Sequence, residues 1–280
     1  MRARLVALIA LLVCAALLTG CKSVTWFVNT LGSMGDMAGA GIDSLSHRKA
    51  ADEPYLIDVV GPVAVDVELF NGNLFIDVNP ELTEGVVTVT RRAIHGYGRK
   101  AEADASLDNI NYTIEIVPGE LGQVVQIRAT TTDPEPHYQR IDMTIELPEV
   151  DGLRARTSNG DVIARNIQGA VDILTYDGEV RVMTDRPMRR PVTIINNCGA
   201  INYRVRGEST GRFDCQCVRG KVIHHVEFGE MIIHPGTDHD TLLASFNEGV
   251  NPITLRAADG DIRIAVVEEP THVGTFIFFD

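Results

Sequence analysis

From Tyr55 onward apolar and polar residues alternate along the chain, and the three-to-four spacing of a helix is nearly absent. Val63, Val65, Val67 and Leu69 fall on one face before Asn71-Gly72, and Leu74, Ile76 and Val78 continue that face after it. Ile110, Tyr112, Ile114 and Ile116 alternate in the same way, as do Ile141, Met143, Ile145 and Leu147 before Pro148. These are half-buried strands separated by turn residues. The polar stretch from Arg99 to Asn109 and the proline-containing stretch from Thr131 to His137 read as exposed loops.

Beyond Pro148 the alternation becomes a repeat. Thr157-Ser-Asn-Gly160-Asp-Val, Thr175-Tyr-Asp-Gly178-Glu-Val, Asn196-Asn-Cys-Gly199-Ala-Ile, Cys217-Val-Arg-Gly220-Lys-Val and Ala257-Ala-Asp-Gly260-Asp-Ile share one frame. The glycines step by 18, 21, 21 and 40 residues, the last close to two periods with a weak rung between. Seven residues before each glycine stands an apolar side chain (Leu153, Val171, Val192, Phe213, Ile253), and two after it another (Val162, Val180, Ile201, Val222, Ile262). Counted from the glycine, positions -7, -5, -3, +2 and +4 are expected to face inward. Each unit is then strand, tight turn, strand, with the glycine supplying positive φ at the turn. Asn71-Gly72 fits the same frame through Val65 and Leu74, so Gly72, Gly160, Gly178, Gly199, Gly220 and Gly260 are the expected structural turn glycines.

A near-constant period with one residue type at one offset favours stacked coils that bury a continuous core. The predicted fold is therefore all-β, a short right-handed β-solenoid of Gly-centred repeats about 20 residues long with an N-terminal β region. An antiparallel β-sandwich of Asn-Gly and Asp-Gly hairpins is the alternative.

Ile145-Glu-Leu-Pro148, followed by Leu153-Arg-Ala-Arg-Thr-Ser-Asn-Gly-Asp-Val162 and closed by Ile253-Thr-Leu-Arg-Ala-Ala-Asp-Gly-Asp-Ile262, resembles the bacterial adhesin-like β-solenoid domains. The likeness spans roughly residues 60–266. It implies a fold carried on exported or membrane-anchored proteins, and it brings no catalytic residues.

The start of the chain has a different pattern. Arg2 and Arg4 precede a 14-residue apolar run, Leu5 to Leu18, and then Thr19-Gly20-Cys21. This is the layout of a secretory signal peptide, and it resembles the bacterial lipobox. Cys21 is expected to become the lipid-bearing first residue, carrying chains such as palmitate, because the run is short of the roughly 17–25 residues that span a bilayer. The expected organisation is a signal peptide over 1–20, a lipidated tether over 21–54, an N-terminal β region over 55–150, and solenoid repeats over 151–280. The aromatic segment Gly274 to Asp280 is expected to end them as a capping strand.

Composition narrows the partners. A formal charge of -13 disfavours nucleic acid and anionic headgroups, so the membrane contact expected is the N-terminal lipid. Of five cysteines, Cys198, Cys215 and Cys217 remain after processing, an odd number that permits one disulfide or three buried thiols. Cys215 and Cys217 point the same way on a strand, as side-by-side core residues would. His224, His225, His234 and His239, with Asp238 and Asp240, match no fixed metal geometry, and the last of them read as a polar turn at Pro235-Gly236. Acids beside the turn glycines, Asp161, Glu179 and Asp261, read as turn chemistry rather than a Ca²⁺ edge, since Ala200 and Lys221 interrupt the row. Arg181, Arg204 and Arg206 are expected on solvated outer faces near acids.

No catalytic motif, metal or cofactor is called. The expected function is a non-enzymatic cell-envelope lipoprotein presenting an interaction or structural surface, on the outer membrane rather than the inner if the cell has two. The partner expected is an envelope protein or a polysaccharide. A polysaccharide-binding or polysaccharide-active solenoid, or an accessory role in envelope stress signalling, is the alternative.

Overall fold

A computed structural model describes residues 47–272, apart from positions 60, 97, 120 and 121. The signal sequence, Cys21, most of the tether and the segment 274–280 lie outside the described residues.

Two long β-sheets face each other across one apolar core. Seven coils build them, each crossing the front sheet, turning, and returning along the back sheet. In chain order the front and back strands are β3 (Val63–Leu69) and β4 (Leu74–Val78), β7 (Gly122–Thr131) and β8 (Gln139–Leu147), β9 (Val150–Asn159) and β10 (Val162–Arg165). They continue with β11 (Gln168–Asp177) and β12 (Val180–Thr184), β13 (Val192–Cys198) and β14 (Ile201–Val205), β15 (Gly211–Arg219) and β16 (Val222–Val226), β19 (Pro252–Asp259) and β20 (Ile262–Val266). Neighbouring coils pair in parallel in both sheets. The expected β-solenoid is therefore the fold, and the hairpin sandwich is not.

The coils do not stack in chain order. The front sheet runs β7-β3-β9-β11-β13-β19-β15, and the back sheet repeats that order as β8-β4-β10-β12-β14-β20-β16. At one end the first coil sits inside the second; at the other, the last coil sits inside the one before it. This corrects the reading of the 40-residue step between Gly220 and Gly260 as two periods. The residues between form no coil. They make β17 (Met231–Ile233) and β18 (Thr241–Phe246), which pair antiparallel with each other and extend the front sheet beyond β15.

The opposite end is closed more fully. β6 (Ile110–Gly119) pairs antiparallel with β7, and β5 (Gly85–Ile94) with β8. β1 (His47–Ala51) and β2 (Tyr55–Ile57) in turn pair with β5, so the last residues of the expected tether belong to the back sheet. A helix, α1 (Lys100–Leu107), replaces the loop expected between Arg99 and Asn109 and packs against β1 and β5. It buries only the small Ala103 and Ser106, so the sequence carries no apolar helical face. Buried Gln139 ties this cap to the first coils: its side chain donates to Ser106 Oγ at 2.8 Å, and its carbonyl accepts from Asn71 Nδ2 at 2.8 Å. The sheets run through residue 150 without a break, so the N-terminal β region supplies two coils and the cap of a single solenoid.

The inward frame holds. Leu153, Val171, Val192, Phe213 and Ile253 are buried at -7, and Val162, Val180, Ile201 and Ile262 at +2. Only on β16, the last described strand of the back sheet, is Val222 half-buried and His224 exposed. Cys215 and Cys217 are both buried, side by side on the inner face of β15, as their shared strand face implied.

The turn glycines form a column in coil order. A Cβ on Gly160 would lie 2.1 Å from the carbonyl oxygen of Gly72, one on Gly199 2.1 Å from that of Gly178, and one on Gly220 2.2 Å from that of Gly260. Gly220 lies outside the positive-φ region that Gly72, Gly160, Gly178, Gly199 and Gly260 occupy, so close approach rather than φ is what requires glycine there. Beside the column, side chains link turn to turn on either side of Ala200: Asp161 Oδ1 accepts from Glu179 N–H at 2.8 Å, and Asp261 Oδ1 from Lys221 N–H at 3.2 Å. The corner acids act as turn acceptors between coils.

Candidate interaction surface

On the front sheet, positions -6, -4 and -2 of each coil face outward, opposite to the core row. Three times, an arginine at -4 reaches diagonally to an aspartate at -6 of the adjacent coil. Arg128 places Nη2 2.5 Å from Asp66 Oδ2 and donates from Nη1 to the carbonyls of Asp66 and Ile127, each at 2.9 Å. Arg256 repeats this on Asp214, with 2.7 Å to Oδ2 and Nη1 bonds to the carbonyls of Asp214 and Leu255. Arg156 does the same on Asp172, bonding its carboxylate and the carbonyls of Asp172 and Ala155. Each clip joins two coils through one carboxylate and two main-chain oxygens, pinning the guanidinium fork onto the sheet.

Asp66 carries a second arginine, Arg154, at 2.9 Å. Burial alone would raise its carboxyl, but the bonds and charges of Arg128 and Arg154 outweigh that and hold it below the ordinary value.

Between the clips the polar character stops. Along the -4 row, Arg156 is in register with Leu174, Leu174 with Ile195, and Ile195 with Arg256. Leu174 and Ile195 are 44% and 42% exposed, and in the -2 row Tyr176 and Val218 rise to 63% and 75%. Short Asn197 and Ala258 lie between those two. The result is a shallow groove of about 710 Å³ across the front face, reaching from Glu68 to Val218, in which Arg156 and Arg256 bound the aliphatic pair Leu174 and Ile195 while Ser158, Asn197 and Gln216 add polar groups. Exposed apolar area gathered in one place on a polar surface marks a contact site.

The chemistry suspected in the sequence falls elsewhere. His224 and His225 lie on β16, where His225 meets Glu227 at 2.9 Å, and His234 bonds Ser245 at 2.8 Å. Only Asp238, His239 and Asp240 come together, at an exposed turn whose Asp238 carboxylate accepts from the Asp240 N–H. Arg181 pairs with Glu179 and Arg206 with Glu208, as expected of a solvated face, while half-buried Arg204 donates to the carbonyl of Pro270. Cys21 lies outside the described residues. The clips and groove were missed because each depends on which coil is adjacent; Arg256 finds Asp214 across 42 residues of chain.

A family model described as Toastrack DUF4097 matches residues 66–265. The chain belongs to the Toastrack family. The resemblance to adhesin-like β-solenoids is thereby borne out at the level of family and fold. Among solved structures, a proposed cell adhesion protein from Clostridium sporogenes matches this Toastrack chain at 10% identity, covering 79% of it and 100% of the other, with a TM-score of 0.54. A proposed adhesin from Bacteroides fragilis covers 79% of this chain and 97% of its own at 8% identity, with a TM-score of 0.21. The first of these is a likeness of fold. No curated protein matches the chain in sequence. Among the described residues, no helix is long and apolar enough to cross a membrane.

Proposed function

We propose that this Toastrack protein is a non-enzymatic, lipid-anchored protein of the bacterial cell envelope, held by Cys21 on the outer membrane where the cell has two, and that its front sheet is an adhesin-like contact surface. The observation that carries this reading is the exposed strip of Leu174, Tyr176, Ile195 and Val218 on a continuous sheet, flanked by arginine clips that join β9 to β11 and β19 to β15. A rigid support lets such side chains meet a partner without being ordered first. The outer-face arginines at the groove are paired with acids, which suits a scaffold better than a catalytic pair. The description of the Clostridium sporogenes protein as a cell adhesion protein agrees with this reading. The lipobox-like start supports the anchoring.

The test is site-specific cross-linking in growing cells. A photoreactive residue replacing Tyr176 on the front face should give a discrete adduct, and one replacing Ile163 on the back sheet should not. Adducts from both positions, or from neither, would overturn the assignment of the front face.

A further inference from the structure

We infer that the front groove takes an extended segment of a partner protein, laid along the solenoid axis, with aromatic side chains four residues apart and an apolar side chain midway between them. This rests on the front sheet being the contact surface and names what it holds.

The inference starts from what the two bounding arginines have left to offer. In Arg156 both Nη1 hydrogens are engaged by main-chain carbonyls and Nη2 by the Asp172 carboxylate, and Arg256 is held in the same way on Asp214. A guanidinium fixed along its edge meets a ligand with its flat face, and an aromatic ring stacks on that cationic plane. The charge there is matched by Asp172 and Asp214, so the site does not select an anion.

Spacing then sets the pattern. Arg156, Leu174, Ile195 and Arg256 stand on four successive strands of the front sheet. Strands are about 4.8 Å apart, so the two arginine planes are separated by about 14 Å with the aliphatic pair between them. An extended chain rises about 3.4 Å per residue, so same-face side chains recur about every 7 Å and residues i and i+4 are about 14 Å apart. Each guanidinium is displaced by about half a strand toward the coil it clips, so an aromatic residue over each plane places the middle side chain over Ile195, beside Leu174. Tyr176 and Val218 form the rim beside them. Tyr and Arg among the lining residues, and no Lys, match the composition of protein contact sites.

The test uses the full-length lipoprotein in detergent and a labelled nine-residue peptide with Phe at its third and seventh positions, Leu at its fifth and Ser or Thr elsewhere. Saturable binding is expected, roughly tenfold weaker when the second Phe moves one position nearer, and roughly tenfold weaker for Arg156→Lys or Arg256→Lys, which keep the charge and lose the plane. Should either lysine variant fail to fold, Leu174→Ser on the exposed strip and the two peptide spacings on the unaltered protein decide the matter. Equal binding of both spacings, no binding, or displacement by oligosaccharides but not by excess unlabelled peptide overturns the inference. If cross-linking from position 176 persists while the peptides fail, the contact surface stands and this occupant falls. If cross-linking fails too, the surface itself is wrong.

Discussion

A Cβ on Gly178 would stand 2.2 Å from the carbonyl oxygen of Gly160 on the adjacent coil, and Gly178 has φ +131°. Steric overlap and backbone strain therefore act together. Gly178→Val should cost roughly 3 kcal/mol or more, because the oxygen it meets is main chain and cannot swing away. Glu179→Ala removes only half-buried side-chain bonds to Arg181 and Asn202, at about 1 kcal/mol. Urea titration compares them, and coincident midpoints would refute the glycine column. Gly220→Ala separates the causes, since it meets the overlap without the positive φ.

Asp66 gives a pH dependence with a definite sign. Its carboxyl is depressed in the folded state by Arg128 and Arg154, so its stabilisation is fully present above the unfolded value of about 3.9 and is lost as pH falls through the folded value. Asp66→Asn should lower stability at pH 7 by about 1 kcal/mol, with the difference closing below about pH 4. Thermal melts of both proteins from pH 3 to 7 check this. A constant difference across that range would mean that the charge on Asp66 does not matter.

The hydroxyl of Tyr203 is fully buried without a hydrogen-bond partner among the described residues, and its ring packs edge-on to Phe213 at 6.3 Å between centroids. Burial pushes its ionisation upward. Tyr203→Phe keeps the ring contact and removes an unsatisfied polar group, so it should leave the melting temperature unchanged or raise stability by up to about 1–2 kcal/mol. A clear loss would reveal a partner for the hydroxyl.

Burial likewise pushes the Cys215 thiol up to about 12. At pH 8 it should resist iodoacetamide in the native protein and be alkylated once guanidinium unfolds the chain, as read by mass spectrometry of its peptide. Native-state labelling would place this strand outside the core.

Cys21→Ser should block lipid attachment and leave the protein unprocessed or unanchored, because the acidic chain has no polybasic alternative. Membrane fractionation and intact mass decide it. Retention on the membrane with normal cleavage would remove the lipoprotein reading.

The coil was legible because its two signals are local: alternation on each strand, and a glycine at the turn. Leu153 and Val162 announce their burial within ten residues of each other. The ends were not legible. α1 buries two small residues and leaves no periodic trace, and β18 looks like any other alternating strand although it runs against β15. The groove depends on Leu174, Ile195 and Arg256 being neighbours, and the last is 61 residues beyond the second. A repeat frame aligns such residues by offset but does not say which repeat comes next in space.

The interchange of coils at the two ends has a further consequence, for assembly. Where coils stack in chain order, a solenoid can grow from one end and be shortened one repeat at a time. Here the β19 and β20 coil fills a slot between coils that precede it in the chain, and β3 and β4 are enclosed by coils that follow them. Removing the C-terminal coil would not shorten the stack but open a gap inside it, parting β13 from β15 and leaving Asp214 without Arg256. Both sheets close only when distant stretches of chain have met, a high contact-order requirement that slows folding and makes it cooperative. The chain is accordingly not a modular array but a single latched body, with each end locked by a segment threaded back behind its neighbour.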